Sequence, residues 1–164
     1  MKAYIDVAVR NMTTRDPHER AVKEAIIRTL TLTGIRRKVE VSVVMVGERA
    51  IRSLEREWKG EDKVTDVLSF RFAEGGHVPA LDAGTTEYLG EIVICLPYAY
   101  AQAKELGVRG EEHIITLAAH GAIHLSDIDH ERSASEARRT EEIQKKIKTF
   151  LCQVAPKHKK QKKK

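Results

Sequence analysis

The stretch His120-Gly121-Ala122-Ile123-His124-Leu125-Ser126-Asp127-Ile128-Asp129-His130 closes one element and forces a turn. Residues four apart on a helix lie one turn apart on the same face, so His120 and His124 project together. His130 stands too far along the axis for the same helix to present it beside them. The chain must break after Leu125 and fold back, and Ser126, Asp127 and Asp129 are short polar residues suited to capping and turning backbone. Upstream, Gly110 to Leu125 carries Ile114, Ile115, Leu117, Ala118 and Leu125. That makes it apolar on nearly every side, as a buried helix is. The chain is therefore organised around a nearly all buried helix that ends at the paired histidines.

Three neutral imidazoles can share one divalent ion at about 2.0–2.1 Å and leave a position open for water, the pattern of a catalytic zinc rather than a structural one. The expectation is one zinc per chain on His120, His124 and His130. Such an ion brings the pKa of its water from about 15.7 to near 7, which supplies hydroxide without a carboxylate base. The spacing is that of the HExxHxxGxxH zinc peptidases, but Gly121 stands where their general base would be and Asp127 where their turn glycine would be. Peptidase chemistry is disfavoured accordingly. His113 shares the angular position of His120 but lies two turns away, about 10 Å along the axis, and cannot join the same ion. His18 reads as a solvated residue in a first helical turn, and His77 as a lone loop histidine.

Outward from this helix, strands alternate with helices. Val39–Val46 is the strongest strand, with Val39, Val41, Val43 and Met45 alternating with Glu40, Ser42 and Val44 before Gly47 ends it. Met1 to Asn11, Val64 to Phe72 and Tyr88 to Cys95 read as the other three. A first helix is expected to run to about Thr33, capped by Asp16, with Pro17 in its first position and Gly34 as its stop. A second covers Glu48 to Trp58, with Ile51, Leu54 and Trp58 inward and Gly60 closing it. A third runs from Pro97 to about Leu106. The last starts at the capping box Ser133-Ala134-Ser135-Glu136 and reaches about Val154, with Ile143, Ile147, Phe150 and Leu151 inward. Ala73 to Glu87 is a glycine-rich loop, mobile or functional by its length. Four strands and about five helices give a single α+β (α/β layered) domain over residues 1–154. Residues 155–164, ending Lys157-His158-Lys159-Lys160-Gln161-Lys162-Lys163-Lys164, are expected to be a disordered basic tail.

At 164 residues the chain is one domain by length. No apolar run approaches 18 residues and no signal-peptide pattern is present, so the expectation is a soluble, cytoplasmic protein with no membrane association. Cys95 and Cys152 form no CxxC pair and read as reduced and structural. The net charge of +5 is unevenly distributed. Arg36, Arg37, Lys38, Arg52, Arg56, Lys59, Lys63, Arg71 and the tail supply cations for a polyanion. With aromatics at only 5%, few stacking platforms for unpaired bases are expected, and phosphate tracking should dominate over base readout.

The HGxxHLxxxDH pattern of residues 120–130 resembles the signature of the YbeY family, zinc-dependent endoribonucleases that mature ribosomal RNA. Gly60-Glu61-Asp62-Lys63-Val64-Thr65-Asp66-Val67-Leu68-Ser69-Phe70 resembles the family's RGxDxxTDVLSF block, and Leu89-Gly90-Glu91-Ile92-Val93-Ile94 its LGDIxI block. The three occur in the family's order. The resemblance implies a four-stranded mixed sheet flanked by helices, with the metal site at the end of a central helix. It implies a single-strand-specific endoribonuclease acting in ribosomal RNA maturation and ribosome quality control. Its partners would be an RNA precursor and the ribosome or its small subunit, with no small-molecule cofactor.

In the family an arginine precedes the glycine of the second block. Lys59 stands there in this chain and keeps the charge without the bidentate grip. Arg71 occupies the place of the proline that usually follows the family's SF. Lys59 and Arg71 are thus the candidate catalytic cations for the phosphate, although Arg71 also reads as a solvated edge-strand residue. Glu91, Asp129 and Glu131 are candidate outer partners of the imidazoles. Metal-bound hydroxide attacking phosphorus and a deprotonated 2′-hydroxyl attacking instead both remain open, as do zinc and nickel. The alternative is a non-catalytic ribosome-assembly or RNA-binding factor with a structural metal.

Overall fold

Alternation of side chains along residues 39–46 builds the centre of the sheet. In the computed structural model, which describes residues 3–72, 84–126, 128 and 133–154, Val39, Val41, Val43 and Met45 are buried while Glu40 is exposed. The elements follow in the order β1 (Ile5–Asn11), α1 (Glu19–Leu32), β2 (Val39–Val46), α2 (Glu48–Lys59), β3 (Val67–Arg71), β4 (Glu87–Cys95), α3 (Leu96–Leu106), α4 (Gly110–Leu125) and α5 (Ala134–Val154). The strand order is β1-β2-β4-β3. β1, β2 and β4 run parallel, and β3 is antiparallel to β4 on the edge. Among the described residues the sheet is mixed and four-stranded, with five helices, as expected.

The layers follow from which faces are apolar. On one side of the sheet Val22, Ile26 and Leu30 of α1 meet Ile114, Ala118, Ala122 and Leu125 of α4 over Val41, Val43, Ile92 and Ile94. On the other side Ile51 of α2 covers Val46, Leu68, Val93 and Cys95. Outside α4, Ile143, Ile147 and Leu151 of α5 close over Ile115, Ala119 and Ile123. α4 is thus held between sheet and helix, with nine of its sixteen residues buried. A fully buried aliphatic side chain contributes about 1.5–3 kcal/mol, so this helix cannot shift without losing much of the core. Cys95 is buried and free, and burial pushes its thiol pKa up, in keeping with a structural thiol.

Several boundaries and side chains differ from the sequence expectation. β1 starts at Ile5 rather than Met1, and β3 covers Val67–Arg71 rather than Val64 to Phe72. Pairing of β3 ends at Arg71 opposite Gly90, close to a register step at which Leu89 is the extra residue of a bulge in β4. Asp16 does not cap α1. Its Oδ1 accepts from the His18 backbone N at 2.9 Å, which makes a turn around Pro17, and the cap position falls to His18 in the left-handed region at φ 48°. His18 is not solvated: Tyr100 donates its hydroxyl proton to the Asp16 carbonyl at 2.8 Å, and His18 Nε2 lies 2.9 Å from the same hydroxyl. Trp58 does not point into the core and is 65% exposed. Trp58 instead packs its ring 5.6 Å from that of Phe70 on the edge strand. Most of the loop after β3, the residues from 155 onward and the side chain of Cys152 lie outside the described residues. Among the described residues no helix is long and apolar enough to cross a membrane.

Candidate active site

The last turn of α4 presents the two helical histidines together. His120 and His124 are both exposed, and their Nε2 atoms lie 3.0 Å apart with the rings edge to face. Two ligands of a tetrahedral ion at about 2.0–2.1 Å would stand about 3.3 Å apart, so the spacing suits a shared metal. It also permits one ring to donate to the other. The helix ends as its sequence demands. Ser126 is extended at ψ 172°, its hydroxyl donates to the Ile123 carbonyl at 2.6 Å, and Ile128 turns in among the side chains between α4 and α5. His130, Asp129 and Glu131 lie outside the described residues. Among those described, no third His, Cys, Asp or Glu joins the pair.

A cavity of about 360 Å³ opens beside the imidazoles, lined by Lys59 from the end of α2, Asp66 and Ser69 at the edge strand, Arg71 of β3, and His120 and His124 of α4. Both cations singled out in the sequence therefore border the histidines, although they come from different elements. Lys59 Nζ lies 3.8 Å from the Glu55 carboxylate one turn earlier. Glu55 is only 2% exposed, so a buried carboxylate faces the ammonium of an otherwise exposed lysine. Glu91 does not line this cavity. It borders a neighbouring one with Trp58, Phe70 and Tyr88.

Four of the other cations counted toward a polyanion are engaged with carboxylates. Arg52 Nε donates to Asp62 at 2.8 Å and Arg56 Nη2 at 2.5 Å. Those two guanidiniums hold the Asp62 carboxyl pKa down at about 2, so the trio keeps its charges through the physiological range. Lys63 pairs with Glu61, and Arg37 with Glu87.

Sequence reasoning missed two features. The first is a polar chain under the cavity. Asp66 Oδ1 accepts from the Val67 backbone N at 2.7 Å, and its Oδ2 from Gln102 Nε2 at 3.3 Å. Gln102 Oε1 can only accept, so His113 Nε2, 2.9 Å away, carries the proton. Burial lowers the pKa of His113 and favours that neutral form. The second concerns Gly121. A Cβ there would stand 2.8 Å from Ile92 Cγ2 and 3.1 Å from Ser69 Oγ. The position faces the sheet, not the cavity, and has no room for a carboxylate. The absence of a glutamate base is thus a packing requirement, which the sequence alone gave no signal to detect.

Comparison with known proteins agrees along the chain. A family model described as Endoribonuclease YbeY matches residues 5–151. The Endoribonuclease YbeY of Persephonella marina is 41% identical over 121 residues, covering 71% of this chain and 72% of that protein. That of a Sulfurihydrogenibium species is 38% identical over 127 residues, covering 77% and 76%. The solution structure of TM1509 from Thermotoga maritima superposes with a TM-score of 0.58 over 96% of this chain and 99% of that one, at 18% identity, a likeness of fold.

Proposed function

The chain belongs to the YbeY family of endoribonucleases, and from that premise we propose that it cleaves single-stranded RNA at the α4 cavity with a divalent metal, zinc first, held by His120, His124 and His130. The observation that carries this reading is the convergence of the His120 and His124 Nε2 atoms, 3.0 Å apart, in a cavity also bordered by Lys59 and Arg71. When bound, the ion supplies Lewis acidity toward water and phosphoryl oxygen. The chain's own residues do the rest. Lys59 and Arg71 bring positive charge to the non-bridging oxygens, where charge grows whether water or a neighbouring 2′-hydroxyl attacks. Glu55 keeps the Lys59 ammonium from swinging away. The Gln102 amide and the Val67 N–H hold the Asp66 carboxylate in one orientation at the cavity wall. Family membership favours ribosomal RNA precursors as substrate, presented by the ribosome or its small subunit, with a part in ribosome quality control.

The test is to incubate metal-loaded protein and its His120→Ala variant with labelled RNA and with peptide. The expected result is RNA cleavage by the first, none by the second, and intact peptide in both. Peptide cleavage, or RNA cleavage that survives the substitution, overturns the reading. RNA binding without cleavage by the metal-loaded protein moves the assignment to an assembly factor.

A further inference from the structure

Low aromatic content does not mean scattered aromatics. The chain has one Trp, four Tyr and three Phe, and four of these eight, Trp58, Phe70, Phe72 and Tyr88, gather on one side of β3. They form two pairs, with Trp58 and Phe70 centroids 5.6 Å apart and Phe72 and Tyr88 centroids 5.7 Å apart. Trp58 is 65% exposed, Phe72 64% and Tyr88 36%. Large rings held at the surface in contact with one another mark a binding face rather than a core that failed to close.

Two further observations select the occupant. The aromatic cavity, about 700 Å³, shares Trp58, Phe70 and Arg71 with the histidine cavity. The two form one groove that wraps around the edge strand. Charge is also graded along it: Lys59 borders the histidine cavity, Arg71 stands where the two meet, and the far side carries the rings of Phe72 and Tyr88. A groove with cations at one end and exposed rings at the other matches a strand whose phosphate lies on the cations while its unpaired bases turn onto the rings. A second copy of the chain or an apolar peptide would not require that the rings adjoin the cations.

We propose that Trp58, Phe70, Phe72 and Tyr88 form a base-stacking shelf that takes one or two unpaired nucleobases flanking the phosphate held between the imidazoles and Lys59. Glu91 lines the same cavity and accepts from an exocyclic amino group, which favours cytosine over uracil at this subsite. This deepens the proposed nuclease reading and rests on it. The shelf makes the enzyme select strands with unpaired bases, because a base in a duplex cannot reach the rings.

Trp58 is the only tryptophan, so its fluorescence reports on the shelf directly. The experiment mixes the full-length, metal-loaded chain with a short oligocytidylate, or with an abasic ribose-phosphate oligomer of the same length, in a stopped-flow instrument before turnover. Cleavage of labelled RNA is followed in parallel. The expected result is saturable quenching by oligocytidylate and none by the abasic oligomer. Phe72→Ala, at an exposed site, should weaken oligocytidylate binding about 5- to 150-fold and leave abasic binding unchanged. Trp58→Ala, followed by anisotropy of a labelled oligomer, should do the same. Equal binding of the two oligomers, or unchanged affinity in both variants, overturns the shelf while RNA cleavage by the wild type keeps the nuclease reading. Self-association of the chain that is lost in Trp58→Ala also overturns the shelf, since the face would then belong to a second copy. Neither binding nor cleavage of RNA by the wild type overturns both.

Discussion

At position 59 an ammonium would hold a phosphate less firmly than a guanidinium, which grips it with two parallel hydrogen bonds. An ammonium offers charge without that planar fork, and its aim here depends on the Glu55 carboxylate 3.8 Å away. Lys59→Ala is expected to lower the cleavage rate by about 10²–10³, as loss of one preorganised donor does elsewhere. Lys59→Arg should retain or raise it. Arg71→Ala should also slow cleavage, and an unchanged rate beside an inactive Lys59→Ala would remove Arg71 from the account. At this scale legibility follows from how local the geometry is. The His120 and His124 pairing needed only the helical repeat. The exposure of Trp58 depended on how α2 packs against the edge strand, and the contact of His18 with Tyr100 spans 82 positions in the sequence.

At the scale of elements, the site depends on how closely α4 approaches β3 and β4. Gly121 and Gly90 set that distance. Gly121→Ala gains about 1 kcal/mol of helix propensity, but it forces a methyl against the stiff, buried Ile92 at an overpacking cost of about 1–3 kcal/mol. A net loss of up to about 2 kcal/mol is expected in chemical denaturation. Gly90→Ala should lose more, because its Cβ would meet the Phe70 carbonyl oxygen at 2.0 Å and the residue sits at φ 147°. Hydrogen exchange should then report loosened β3 amides. His113 gives a pH signature for the α3 and α4 contact. Its pKa is lowered in the folded state, so below the unfolded value of about 6.5 the unfolded chain takes up protons more readily. Stability is therefore full above that pH and falls as the pH drops through it toward the folded value, and His113→Gln should flatten the fall. The bounds of β2 and α4 were readable to the residue because alternation, glycines and the break at Ser126 mark them. The start of α1 was not, because Asp16 used its carboxylate for a turn before Pro17 rather than for a cap.

For the whole molecule, charge separates into a tail and a body. Six lysines lie in residues 157–164 against a net charge of +5, so the rest of the chain carries a formal −1. Within the body Arg52, Arg56, Lys63 and Arg37 are paired with carboxylates, while Lys59 and Arg71 border the groove. Deleting residues 157–164 should reduce the slope of log affinity for single-stranded RNA against log salt by up to about 4, and an identical slope would exclude the tail from binding. The layered fold and the paired histidines were readable because periodicity and motif spacing are properties of the chain. The aromatic groove was not, because α2, β3 and β4 bring together rings that composition alone disperses. The central claim is that His120, His124 and His130 share one ion at the cavity bordered by Lys59 and Arg71. Metal content per chain, measured by mass spectrometry on the wild type and on His120→Ala, His124→Ala and His130→Ala after identical loading, tests it most directly. The account predicts about one divalent ion in the wild type and close to none in each variant. A full equivalent retained by any of the three, or a wild type that takes up no metal, would contradict it.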